Sequence, residues 1–372
     1  VKRNTFRRVA APGIAALTLG LGLSACGAAN EEPGSDATNA GGETLSGTLN
    51  GAGSSAQEAA QAAWQAGFQQ ANADVTVNYD PVGSGGGREQ FIAGGTDFAG
   101  SDAYLSEDEN ELADAKKRCG GTDPIEIPDY VSPIAVIYNL DGVDDLQLSP
   151  ETMAQIFAGK ITKWNDPAIA KDNPDADLPN ANVVPVHRAD DSGTTENFTD
   201  YLHQAAPQDW TAEANGVWPT KGGESAQGTS GVVAAVKNGS GTIGYADESQ
   251  AGDLGVAKVK VGDEYVGPTA EAAAKVLEVS PKVEGRADTD LAFDLDRATS
   301  ESGAYPVVLT SYLIACQTYD DQKTADLVKG YLSYIVSDEG QQAAAETAGS
   351  APLPASLQEQ ASSIVDGISA KS

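Results

Sequence analysis

The sequence predicts an α/β protein of two lobes, joined by two crossing strands, with a cleft between the lobes. Three observations carry this expectation. Short β-branched or apolar runs alternate with alanine-rich helical stretches along most of the chain, the pattern of sheet layers covered by helices. From Leu45 onward about 328 residues remain, more than one hydrophobic core usually takes. Two apolar runs, Val131 to Asn139 and Tyr305 to Ala315, have the length and residue types of buried strands and make sensible crossing points. The division that follows assigns residues 45–130 and 304–372 to lobe I and residues 131–303 to lobe II.

The first segment reads as an export address and stands outside the fold. Lys2, Arg3, Arg7 and Arg8 give it a basic start, and Ala10 to Gly22 form a small-residue apolar run too brief to span a bilayer comfortably. Leu23, Ser24, Ala25 and Cys26 then make a lipobox. Residues 1–25 are accordingly expected to be a lipoprotein signal peptide and Cys26 the lipidated first residue of the mature chain. The stretch GAANEEPGSDATNAGGET after Cys26 has almost nothing to bury, so residues 26–44 read as a flexible tether.

The body then reads element by element. Leu45 to Asn50 is a strand, followed by a Gly-rich turn and a helix over Gln57 to Gln70. Val75 to Val82 is the next strand, and GSGGG leads to a helix over Arg88 to Ala93. Thr96 to Ser101 gives a short strand, and Ser149 to Ala158 a helix. Val183 to Val186 is a strand that breaks into a loop before a helix beginning near Ser192. Helices over Lys323 to Val336 and Glu339 to Ala348 return the chain to lobe I. The alternation favours a largely parallel sheet.

Composition narrows the function. The chain carries a formal net charge of −31, and removing Lys2, Arg3, Arg7 and Arg8 takes it to −35. So acidic a body argues against nucleic acid or an anionic membrane surface as partner. Any anion it binds must be held by local donors against the global field. Beyond Cys26 the only cysteines are Cys119 and Cys316, a pair compatible with one structural disulfide in an oxidising compartment. His187 and His203 are the only histidines, and nothing has the spacing of a metal site, so neither metal nor cofactor is expected.

Three segments share one design in which a strand ends, a Gly/Ser loop follows and a helix begins. They are Gly51 to Ser55 (GAGSS), Gly83 to Gly87 (GSGGG) and Asp191 to Thr195 (DSGTT). A helix start leaves backbone N–H groups unpaired, its dipole places partial positive charge there, and glycine lets an anion approach closely. Serine and threonine hydroxyls add donors without formal charge. None of the loops is a Walker A. Arg188, at the end of a strand, can offer an oxyanion two parallel bonds, and Asp190 can hold its fork in orientation. Asp102 lies just past another strand, where α/β folds place ligand residues. Ionised aspartate only accepts hydrogen bonds, so Asp102 suits an oxyanion that still carries a proton and opposes one that does not.

With these residues assembled, the chain resembles the phosphate-binding proteins of high-affinity phosphate ABC importers, the PstS family, in an actinobacterial lipoprotein style. The resemblance runs from Leu45 to the C-terminus through GAGSS, GSGGG, FAGSDAYLS, GKITKWNDPAIA, VPVHRADDSGTTENFTDYL, GSGTIGYAD, GAYPVV and SAPLP. It implies a type II periplasmic-binding-protein fold. It also implies a ligand shell of Ser55, the backbone of Ala56, Ser84, Asp102, Arg188, Ser192, Gly193 and Thr194, with Asp190 orienting Arg188. The family more often has Thr then Phe where this chain has Ser55 and Ala56, and a common Gly where it has Asp191. The expected partners are inorganic phosphate, the importer's membrane subunits and, through the lipid, the outer face of the cell membrane; a monomer is expected. Binding of another tetrahedral oxyanion, or phosphate sensing, stays open as an alternative. A secreted phosphatase or serine hydrolase using Ser192 or Ser55 finds no GxSxG elbow and no histidine at triad spacing.

Overall fold

The computed structural model describes residues 45–371. The signal segment, Cys26 and the tether lie outside the described residues.

The chain opens with β1 (Gly47–Gly53), α1 (Glu58–Ala71), β2 (Val75–Asp80), α2 (Ser84–Ile92), β3 (Phe98–Ser101) and α3 (Glu111–Arg118). The long strand β4 (Pro124–Asn139) follows, then β5 (Gln147–Leu148), α4 (Pro150–Phe157), α5 (Pro167–Asp172), β6 (Val184–Arg188) and α6 (Gly193–Ala205). Next come β7 (Glu224–Ala226), α7 (Gly228–Asn238), β8 (Thr242–Asp247), β9 (Gly255–Val256), β10 (Lys258–Val261), β11 (Glu264–Val266) and α8 (Ala270–Val279). The chain closes with β12 (Val308–Cys316), β13 (Thr318–Tyr319), α9 (Gln322–Val336), α10 (Asp338–Ala348), α11 (Ala355–Asp366) and β14 (Ser369–Ala370).

The main sheet runs β2-β1-β3-β12-β4-β8-β6-β7. Its two outer groups are parallel: β2, β1 and β3 on one side, β8, β6 and β7 on the other. The two strands between them run antiparallel to each other and to their neighbours. The sheet is therefore mixed rather than largely parallel, because one crossing strand carries the chain out and the other brings it back. β4 changes partner along its length, pairing with β12 from Pro124 to Pro133 and with β8 from Ile134 to Asn139. Every residue of β12 is buried, and of β4 only Asn139 is not, as a strand covered on both faces requires.

Some boundaries differ from the sequence reading. β1 continues through the glycines to Gly53, since its ladder to β2 and β3 extends that far. α2 begins at Ser84, so the GSGGG run supplies the first turn of the helix instead of a loop before Arg88. β4 starts at Pro124, ahead of the apolar run, and β12 starts at Val308, after Pro306. Cys119 and Cys316 are disulfide-bonded, with Cα atoms 5.2 Å apart, tying the end of α3 to the end of β12.

The core packs on both sides of the crossing strands. Trp64 and Phe68 of α1 lie with Phe98 and Tyr331, the Phe68 and Tyr331 rings 5.3 Å apart. Beyond β4, Phe198 stacks on Tyr245 at 4.4 Å and Phe157 meets Phe198 edge-on at 4.8 Å, well within aromatic pairing range.

Candidate functional site

The site is built where β1, β3 and β6 end and where α1, α2, α6 and α7 begin. At the end of β1 the backbone of Gly53 adopts φ +152°, and a Cβ there would lie 1.8 Å from the Gly100 carbonyl oxygen. Only glycine allows β1 and β3 to approach this closely. The chain then turns through Ser54, Ser55 and Ala56, all buried, into α1. The Ala56 N–H donates to Ser54 Oγ at 3.0 Å.

Gly83 precedes α2 at φ +101°, where a Cβ would sit 2.7 Å from the Asp191 carbonyl oxygen and 2.8 Å from Asp190 Oδ2. Ser84 opens the helix, and its Oγ accepts the Asp102 backbone N–H at 3.1 Å. Ser192 caps α6, accepting the Thr195 N–H at 3.2 Å. A Cβ on Gly193 would be 2.5 Å from Ser84 Oγ and 2.6 Å from Asp102 Cβ. The start of α6 thus fits against α2 and the end of β3 only because Gly193 has no side chain.

Arg188, 3 % exposed at the end of β6, is gripped by Asp190. Its Nε donates to Asp190 Oδ1 at 2.8 Å, and Nη2 donates to Oδ2, a fork-to-fork pair. Its Nη1 donates to Thr229 Oγ1 at 3.3 Å, and its backbone N–H to the Tyr245 hydroxyl at 3.2 Å. Asp190 Oδ1 also accepts the Gly228 N–H at 3.1 Å.

Asp102 is the opposite pole. Its Oδ1 accepts from Ser311 Oγ at 2.6 Å and its Oδ2 from Thr194 Oγ1 at 3.1 Å. The Asn197 amide donates to its backbone carbonyl at 2.7 Å. Burial pushes the Asp102 carboxyl above the ordinary range, while the Ser311, Ser54 and Thr194 hydroxyls and the Arg188 charge pull it back. A desolvated carboxylate, an oriented guanidinium and several hydroxyls therefore share one buried cluster. Such a set can accept a hydrogen from an oxyanion on one side and donate to it on the others.

Ser55, Ala56, Ser84, Asp102, Arg188, Ser192, Gly193 and Thr194 are all buried, with Asp190 beside them. Sequence reasoning missed Thr229 at the start of α7, whose N–H donates to Ser55 Oγ at 3.2 Å. A signal existed: Gln227 to Gly231 repeats the strand, Gly/Ser loop and helix design of the three motifs. Ser311 had none, since it lies inside an apolar run. Asp191 turns outward, its carboxylate filling the space that a Cβ on Gly85 or Gly216 would take. His187 stacks on Trp218 at 4.8 Å, and among the described residues neither histidine ring bonds to Ser55 or Ser192. No cluster of histidine, cysteine and carboxylates fit for a metal ion occurs among the described residues.

Residues 38–339 match the model of the PBP superfamily domain. The phosphate-binding protein PstS 3 of Mycobacterium tuberculosis is 36 % identical over 360 residues, covering 93 % of this chain and 95 % of that protein. The chain belongs to the PstS family of phosphate-binding proteins. Solved structures agree on the fold. The high-affinity periplasmic phosphate-binding protein PfluDING superposes with a TM-score of 0.68 at 23 % identity, covering 84 % of this chain and 92 % of that one. A phosphate-binding protein from Stenotrophomonas maltophilia gives a TM-score of 0.65 at 20 % identity, over 85 % and 93 %. The PstS fold is thus the two-lobed type II periplasmic-binding-protein architecture, built here on the mixed sheet described above. PstS-family members are solute-binding proteins of transport systems, not enzymes.

Proposed function

We propose that this chain captures inorganic phosphate, in a form still carrying a proton, and delivers it to the membrane subunits of an ABC importer. The observation that carries this reading is the pairing of Asp102 with Arg188. A buried carboxylate supplied with donors stands in the same cluster as a guanidinium held by Asp190. The names of the curated relatives and the phosphate bound to PfluDING support the same ligand. The shell comprises Ser55, the Ala56 backbone, Ser84, Asp102, Arg188, Ser192, Gly193 and Thr194, to which Thr229 is added. Each hydrogen bond to the charged ligand contributes about 1.5 to 3 kcal/mol net, against desolvation and ordering costs.

In this reading residues 45–130 with 304–372 form one lobe and residues 131–303 the other, and β4 and β12 are the hinge about which they close. The closed form is what the importer recognises. The lipobox at Cys26 and the tether after it hold the protein, as a monomer, on the extracytoplasmic face of the membrane. Calorimetric titration with phosphate and with sulfate is the test. Phosphate binding with rejection of sulfate is the expected result; equal affinities, or no phosphate binding below millimolar, would overturn the proposal. Loss of phosphate uptake on deletion separates transport from sensing.

A further inference from the structure

We propose that Gln57 and Ser311 are positioning residues that act through Asp102 to hold the site's preference for a protonated oxyanion, an inference resting on the phosphate capture proposed above. Neither belongs to the expected ligand shell. Ser311 Oγ donates to Asp102 Oδ1 at 2.6 Å, and Gln57 Nε2 donates to the same Ser311 oxygen at 2.6 Å. With Gln57 occupying its acceptor side, the Ser311 hydrogen is directed at the carboxylate. Behind Gln57, Gln61 Nε2 donates to Gln57 Oε1 at 2.8 Å, and the Tyr331 hydroxyl donates to Gln61 Oε1 at 2.9 Å. All four side chains are buried.

The relay has one direction. Rotating the Gln57 amide would turn its carbonyl oxygen toward Asp129 Oδ1, which its Nε2 now reaches at 3.3 Å, and would set its NH₂ against that of Gln61. Every member therefore passes a hydrogen toward Asp102, and the chain ends on an oxygen that only accepts. Such donation favours the charged carboxylate.

Asp129 explains why the charge falls on Asp102. The register of β4 against β12 shifts here, so that Ser311 faces Tyr130 and Tyr312 faces Pro128, leaving Asp129 as the extra residue of a bulge. Asp129 is 1 % exposed, its Oδ2 has no hydrogen-bond partner, and its Oδ1 has the Gln57 amide. Asp102, by contrast, has Ser311, Ser54 and Thr194 as donors and the Arg188 charge nearby. Of two neighbouring buried carboxyls, the better-supplied one ionises and the other keeps the proton. Burial and then the Asp102 charge push Asp129 well above the carboxylate range, and the Asp129 and Tyr130 backbone N–H groups pull it back only in part. Near Asp102 stand Arg188 from β6, with Asp190 behind it, Asp129 from β4 and Tyr79 from β2, and Glu196, Asp200, Arg286 and Arg297 line the same cavity. Arg188 is the cation that pulls the Asp102 carboxyl down. Asp102 Oδ2, now reached by Thr194, is thereby kept as an acceptor for the ligand's hydrogen. Without the relay, a protonated Asp102 could donate to Ser311 or to a fully deprotonated oxyanion.

The test is calorimetric titration of phosphate and sulfate across pH on the wild-type chain, Gln57→Met and Ser311→Ala, with circular dichroism and thermal melting to establish folding. In Ser311→Ala the phosphate-to-sulfate preference falls about tenfold, the equivalent of one charged hydrogen bond, and in Gln57→Met, which leaves the Ser311 hydroxyl in place but undirected, it falls by less. The acid limb of phosphate binding also moves to higher pH, since removing a donor raises the Asp102 pKa. An unchanged preference and an unchanged limb in a folded variant would overturn the inference. Carbon-13 NMR of the carboxyl carbons in the wild-type chain, assigned with Asp102→Asn and Asp129→Asn, tests it without relying on variant affinity. At pH 7 Asp102 is ionised and Asp129 protonated; the reverse, or two ionised groups, would overturn it. Absence of phosphate binding in the wild-type chain would instead defeat the functional reading, leaving the NMR result to decide the relay.

Discussion

Ser55 at the head of α1 and Thr229 at the head of α7 place their Oγ atoms 3.0 Å apart, although 174 residues separate them in the chain. Thr229 Oγ1 also accepts from Arg188 Nη1, so one hydroxyl joins the two sides of the site. Thr229→Val keeps the shape and removes the hydroxyl. Phosphate affinity is expected to fall about tenfold by calorimetry, with the fold retained; unchanged affinity would remove Thr229 from the shell.

Arg188→Lys keeps the charge and loses the fork that Asp190 holds. The phosphate dissociation constant is expected to rise about 10- to 100-fold, the loss of one charge-assisted hydrogen bond. Asp190→Asn leaves the guanidinium in place but weakens its orientation, and a smaller rise is expected in the same titration.

Asp102→Asn replaces an acceptor-only oxygen with an amide that can donate. Phosphate binding should weaken while sulfate binding appears or strengthens, because the like-charge opposition to sulfate is gone. Competition between the two anions measures this directly, and a variant that still rejects sulfate would exclude Asp102 as the discriminating group.

Asp247 lies fully buried on β8, accepts from the Tyr130 hydroxyl at 3.1 Å, and is pushed up to about 7, chiefly by burial. A carboxyl whose folded pKa stands above its unfolded value favours folding while both states are protonated. That contribution is lost as pH rises from near 4 through about 7. Asp247→Asn, which imitates the neutral form, is therefore expected to gain stability relative to the wild-type chain between pH 5 and 8. Urea denaturation at several pH values checks the slope.

The Cys119–Cys316 bond closes a loop spanning 197 positions. Reduction, or a double Cys→Ser variant, is expected to destabilise the fold by about 2 to 5 kcal/mol through the freed unfolded chain. The readout is a lowered melting temperature. Since neither cysteine touches the site, phosphate affinity below the transition should stay near the wild-type value.

Much of the fold was legible because its signals are local. Alternating apolar runs and alanine-rich stretches mark strands and helices, and the two long apolar runs mark the crossing strands. The ends of β1, β3 and β6 could be found because glycine and hydroxyl residues cluster where a strand hands over to a helix. The limits of β4 were less legible. Pro128 and Pro133 interrupt its pattern, yet both lie in its ladder to β12. The first turn of α2 was also hidden, since glycines seldom announce a helix.

The sequence by itself determined the α/β class, the three Gly/Ser helix starts and the residue types that an oxyanion requires, since these depend on neighbours within a few positions. Only the tertiary structure decided that Thr229 meets Ser55, that Ser311 faces Asp102, and that a bulge turns Asp129 beside Gln57. Those relationships depend on strand order and register across 72 to 209 positions of chain. A one-residue shift in register, which the apolar pattern of a fully buried strand does not encode, would undo them.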